Sequence, residues 1–334
     1  MAGTLTHFYV MKKYYESVGT PIPFGNSKHT NIAPQYAAGF LGSTGPDLFY
    51  MTGDLGYISD FHHYKNVGTF IRNIWENNNS NIAKNFCKGM ICHMAADLVI
   101  HPFVNSLVGK YQEHIVTKVE IPGPMIPGGL TNTLSENFYA HNITEFAQDY
   151  YVLTKVFNMN KSSKAHSTLF TYGLKPKRDE MHRILIHAIN DTYGNNGLKY
   201  ISSYDSKLML STTHTFRGKD AKTIDEILDF YLDTNSITNI EDHVDLVLDD
   251  EYKNYNIFLE HQENINSTYT DENSTFEKLV NKAVELTNSI CKDMENLNWD
   301  NIEKAWNLDT GLYTDCNIVN DKIKFKFDNY SIVW

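Results

Sequence analysis

The stretch ICHMAADLVIHPFVN, residues 91–105, reads as one helix and carries His93, Asp97 and His101 at spacings of four and four. Each step of four turns a helix about 40° past a full revolution, so the three side chains share one stripe about 12 Å long. Ile91, Met94, Leu98, Val99 and Ile100 surround that stripe. Polar groups on so apolar a helix need partners when buried. His93 and Asp97 can close on one metal ion. His101, a turn further along, is placed for a second, with Asp97 able to bridge. The plainer alternative is a buried, hydrogen-bonded polar cluster.

Composition weighs the pattern. With 14 His and 40 acidic residues among 334, a His followed four later by an acid arises about 1.7 times by chance. Three such pairs occur, His93/Asp97, His141/Glu145 and His187/Asp191, so a single pair carries little. The longer pattern His-x3-acid-x3-His has a chance count of about 0.07, and it carries weight.

A chain of 334 residues can bury a large core as one domain or two. Apolar residues at 42% and charged residues at 21% are ordinary for a globular protein. The net charge of −11 lacks the basic footprint of a duplex-binding protein. Cys87, Cys92, Cys291 and Cys316 form no CxxC pair and read as structural thiols. The first residues hold no apolar core of a secretory leader, and no apolar run approaches a membrane span, so the expected location is the cytoplasm.

Apolar periodicity predicts a helix over residues 4–18, capped by Thr4 or Thr6, with His7 in its first turn. GSTGPDLF, residues 42–49, predicts a stiff loop presenting Asp47, as a metal ligand, a base or a helix cap. His62 and His63 are adjacent, so on a helix at most one faces a common site. Residues 83–108 form the central helix, and Pro102 predicts a helix end or kink at His101. The Pro- and Gly-rich loop of residues 116–132 is placed to border a site. Residues 134–159 are helical by pattern and carry His141 and Glu145. Asp149 continues that row as an acceptor behind a ligating His. Residues 160–180 read as loop, 178–193, 205–234 and 274–306 as helices, 235–273 as acidic surface, and 322–327 as a short strand.

His7, Asp47, His62 or His63, His93, Asp97, His101, His141 and Glu145 thus form a His-and-carboxylate set drawn from several helices. Imidazole with carboxylate suits zinc, with iron or manganese as alternatives, and the ligands suffice for two or three ions. Such ions lower the pKa of bound water and hold the oxygens of a phosphodiester, so phosphoester hydrolysis is the reaction class that fits.

The order and local spacing of TH at 6–7, GPD at 45–47, FHH at 61–63, HMAADLVIHP at 93–102 and HNITE at 141–145 resemble the zinc-dependent phospholipase C family, related in fold to S1/P1 nucleases. These pieces cover roughly the first 160 residues. The resemblance implies an all-α, multi-helix bundle with a metal cluster. By it, Asp47, His62 or His63, His93 and Asp97 would hold one zinc, and His101, His141 and Glu145 a second. His7 and Asp97 would contribute to a third, and Asp47 would serve as general base or orient the attacking water. Secreted relatives complete the third site with an N-terminal Trp, and none precedes His7 here. Choline-binding relatives carry an aromatic after the loop Asp, where this chain has Leu48, so phosphocholine preference is not expected.

The expected organisation is a catalytic core over residues 1–200 and a mainly helical C-terminal extension over 201–334 packed on the same body. The expected substrate is a phosphodiester or phospholipid, soluble or zwitterionic given the acidic chain, reached by peripheral membrane contact at most. Two competing readings are a metal-binding helical scaffold without activity and an S1/P1-like single-strand nuclease. A di-iron bundle would use Glu-x-x-His pairs and more carboxylates.

Overall fold

The computed structural model describes residues 3–23, 32–51, 59, 62–63, 67–115, 145, 148–159, 164–165, 167–193, 228, 275–300, 302–303, 306–308, 312–313, 318–319 and 322–323. Its body is all-helical. Helix α1 spans Thr4–Ser17, α2 Pro34–Gly42, α3 Val67–Asn77, α4 Asn81–Ile115, α5 Arg178–Tyr193 and α6 Thr275–Glu295. A 3-10 turn covers Gly45–Met51, and π-type turns cover Val152–Val156 and Ser167–Leu174. Extended pairing among the described residues is limited to two-residue ladders, Trp306–Asn307 with Leu312–Tyr313 and Ile318–Val319 with Lys322–Ile323. The second ladder includes the start of the expected strand at 322–327, and Ser167–Leu174 replaces the expected loop within 160–180 with helical turns.

The long helix α4 is the axis of the fold. Ser80 starts it, its hydroxyl accepting the backbone N–H of Ala83 at 3.1 Å. Phe86, Met90, Ile91, Met94, Ala95 and Ile100 are fully buried along it. The helix does not end at His101: it continues through Pro102 to Ile115. Proline removes the bond that residue 102 would donate to the carbonyl of residue 98 and crowds that carbonyl with its ring, a cost the long helix absorbs. His101 meanwhile is held from outside the helix, as described below.

Helix α2 lies against α4 at backbone distance. A Cβ on Gly42 would run into the carbonyl oxygen of Phe86, and one on Gly89 into that of Gly39. Only glycines permit this approach. It brings the end of α2, and the Asp47 turn behind it, to the face of α4 that carries His93, one helical turn beyond Gly89. Helix α1 packs through Phe8, whose ring meets those of Phe40 at 5.8 Å and Phe170 at 5.7 Å. Helix α6 closes the other side, where the Tyr9 hydroxyl donates to the Glu277 carboxylate at 2.8 Å.

Helix α1 has no side-chain cap of its own, contrary to the expectation for Thr4 or Thr6. Asp149 caps it from 143 or 144 residues away: the N–H groups of Leu5 and Thr6 donate to its carboxylate at 2.9 and 2.8 Å, and the Thr6 hydroxyl at 2.9 Å. The first amides of a helix have no intrahelical partner, so this carboxylate satisfies two of them and meets the positive end of the dipole. Gly3 leaves the room, since a Cβ there would collide with the same carboxylate. Asp149 therefore fixes the helix that carries His7; the expected partner on its own row, His141, lies outside the described residues.

Candidate metal centre

Four imidazoles surround one carboxylate at the middle of α4. Asp97 Oδ1 lies 3.4 Å from Nε2 of His7 and 3.5 Å from Nε2 of His101. Its Oδ2 lies 2.9 Å from Nε2 of His93 and 3.7 Å from Nε2 of His63. Two further carboxylates flank this hub. Asp47 Oδ1 is 3.2 Å from His63 Nε2 and 4.0 Å from His93 Nε2, and Glu145 Oε1 is 3.6 Å from His101 Nε2. His7, His63, His93, Asp97 and His101 are fully buried, and Asp47 and Glu145 nearly so.

Chain local geometry accounts for the arrangement. The spacing of four along α4 stacks His93, Asp97 and His101 as the sequence predicts. The 3-10 turn presents Asp47, whose N–H bonds the Thr44 carbonyl at 3.0 Å. His62 and His63 diverge. His63 faces the carboxylates, whereas the ring of His62 packs at 4.5 Å from Phe70 and 5.6 Å from Phe49. His7 lies flat on His93, with ring centroids 3.9 Å apart at 11°. His141 and the 116–132 loop lie outside the described residues.

Three of the rings are oriented by backbone carbonyls. Nδ1 of His93 meets Ser43 O at 2.9 Å, Nδ1 of His63 meets Ser59 O at 2.7 Å, and Nδ1 of His101 meets Leu308 O at 2.5 Å. A carbonyl only accepts, so each Nδ1 carries a proton and each Nε2 faces the carboxylates, which leaves Nε2 as the nitrogen that would hold a metal ion. These carbonyls, with the Asp149 cap, are the parts of the site that the sequence reading missed. A peptide carbonyl belongs to every residue, so nothing in the sequence marks Ser43, Ser59 or Leu308.

Electrostatics favour a cation here. Burial lowers the His7 pKa to about 3, aided by neighbouring His93. Burial likewise holds His62 well below its ordinary value. Burial pushes the carboxyls of Asp97 and Asp47 up, but the rings outweigh it: His101, His93 and His7 hold Asp97 well below the usual range, and His93 and His63 lower Asp47. Glu145 is raised by burial. Burial also raises Asp149 to about 7, against the pull of its three donors.

The donor set passes the test for a divalent ion. Ligand atoms of His7, Asp47 and His93 lie within 4.8 Å of one another, as do those of His63, His93 and Asp97. Both ring nitrogens of buried His7 make no hydrogen bond. A purely structural polar cluster would have satisfied them. Nitrogen and carboxylate donors in this mixture suit zinc.

No helix among the described residues is long and apolar enough to cross a membrane. Neither the comparison with curated proteins nor that with solved structures gave a match. A family profile described as zinc dependent phospholipase C matches residues 6–258, well over half of the chain, and its span includes all nine residues of the expected metal set. The chain belongs to the zinc-dependent phospholipase C family, and it is by that membership a zinc-dependent phosphodiester hydrolase.

Proposed function

We propose that this protein cleaves a phospholipid between glycerol and phosphate, at a site whose buried histidines and carboxylates around Asp97 would hold two or three zinc ions. The observation that carries the reading is the Asp97 carboxylate, with two imidazole nitrogens facing each of its oxygens. Asp47, His63, His93 and Asp97 would hold one ion, His101 and Glu145 with His141 a second, and His7 with Asp97 a third. Zinc, when bound, supplies a Lewis acid for the phosphoryl oxygens and makes water acidic enough to react near neutral pH.

The chain's own residues do the rest. Asp47 is held ionised by His63 and His93, so it accepts a hydrogen bond from the attacking water and aims it at phosphorus. The carbonyls of Ser43, Ser59 and Leu308 keep the rings in the binding tautomer. His7, His63, His93, Asp97 and His101 are fully buried, which strengthens every charge interaction among them. Leu48, fully buried after Asp47, offers no aromatic face to a quaternary ammonium. The acidic chain favours zwitterionic over anionic lipid surfaces.

The test is hydrolysis of zwitterionic phospholipid vesicles, followed by release of the phosphomonoester headgroup. Activity is expected to vanish with a chelator and return with zinc. Asp47→Asn is expected to lose at least about a hundredfold in kcat while keeping part of its zinc. Turnover of this variant at the wild-type rate would refute the role given to Asp47.

A further inference from the structure

Leu308 lies outside the residues matched by the family profile, yet it touches the metal centre twice. Its carbonyl accepts from His101 Nδ1 at 2.5 Å, and its N–H donates to the backbone carbonyl of His63 at 2.9 Å. One buried residue thus joins a histidine on α4 to a histidine of the segment before α3. The chain around it is anchored independently. The Trp299 carbonyl accepts from Ile302 and Glu303, forming a turn. The Arg72 guanidinium of α3 lies 5.7 Å over the Trp299 ring and 3.4 Å from the Glu303 carboxylate. The carbonyl of Ile302 rests on Gly68, where a Cβ would collide with it. Just before Leu308, Trp306 and Asn307 pair with Tyr313 and Leu312, which follow it in the chain.

We infer that Trp299, Ile302, Glu303 and Leu308 act as a strap that positions the metal centre, with Leu308 setting the tautomer of His101. The physical need is specific. His101 Nε2 lies 3.5 Å from Asp97 and 3.6 Å from Glu145. Two carboxylates at that range draw the ring proton to Nε2, where it would block a cation. The Leu308 carbonyl draws it to Nδ1 instead and leaves the Nε2 lone pair toward the cluster. Leu308 is a positioning residue: it acts through His101 and His63. The inference rests on the metal-centre reading and extends it to a part of the chain remote from the ligands in sequence.

The experiment uses the full chain and two variants that touch no metal ligand. Gly68→Ala pushes the strap off α3, and Arg72→Ala loosens its exposed clamp. In metal-free protein, nitrogen-15 spectra of labelled histidine are expected to show His101 protonated at Nδ1 in the wild type. The Gly68→Ala variant is expected to shift toward Nε2–H. Competition with a chelator, evaluated on the folded fraction, is expected to give about tenfold weaker zinc binding in Gly68→Ala and a smaller loss in Arg72→Ala. An unchanged tautomer and zinc affinity in Gly68→Ala, with raised hydrogen exchange over 299–308, would overturn the strap. If Gly68→Ala does not fold, an Arg72→Ala variant with a loosened strap and unaltered zinc affinity overturns it equally. Absence of zinc binding in the wild type would instead refute the metal centre itself, and the histidine spectra would still report on the strap.

Discussion

Asp97 is where single side chains decide most. Asp97→Asn removes the one negative charge that four imidazole nitrogens share, so it is expected to lose zinc and activity together, as read by bound metal and vesicle hydrolysis. His7 gives a pH signature in the metal-free protein. Its folded pKa is about 3 against 6.5 in the unfolded chain, so only the unfolded state takes up its proton between those values. The stability it contributes is complete above pH 6.5 and is lost as pH falls toward 3. Urea unfolding of the chelated protein is expected to weaken between pH 7 and 5, and less so in His7→Phe, which keeps the ring volume. An equal pH slope in both would contradict this. At this scale the sequence was informative where spacing is local. His93, Asp97 and His101 could be read from helical periodicity alone. The choice between His62 and His63 could not, because it depends on Phe49 and Phe70 receiving one of the two rings.

Elements were legible in kind and less so in their joints. The strongly periodic α4 and α5 stand close to where the pattern puts them. Pro102 does not end the helix, because a local rule about the residue before proline yields to a helix whose described side chains are mostly buried and which is tied through His101 to Leu308. The cap of α1 was invisible because Asp149 reaches it across the fold rather than along the chain. Asp149→Ala strands two buried helix amides, and urea unfolding is expected to show a loss of at least about 2 kcal/mol. The α2–α4 joint makes a second prediction. Gly89→Ala forces the helices apart by driving a methyl into the Gly39 carbonyl, with an expected cost of about 1–3 kcal/mol and weaker zinc binding, since Ser43 and Asp47 retreat from His93. A Gly89→Ala protein of undiminished stability and zinc affinity would show that the close approach is dispensable.

Across the whole molecule, residues from both ends of the chain converge on one metal centre: α1 supplies His7, the middle of α4 its axis, and the segment beyond α6 the carbonyl of Leu308. The helical class and the metal-ligand types were readable because both depend on residue identity and period. The closure of the site by backbone atoms was not, because it depends on packing. Bound zinc stabilises the native state by about 2.7 kcal/mol per site at a hundredfold excess over Kd. Chelation is therefore expected to lower Tm by about 5 °C or more in a thermal scan. The most direct measurement is the zinc content of the purified protein by elemental analysis, with Asp97→Asn alongside. The expected result is two or three zinc ions per wild-type chain and loss of the cluster in the variant. A wild-type protein without zinc, or a variant that retains the full complement, would contradict a metal centre built on Asp97.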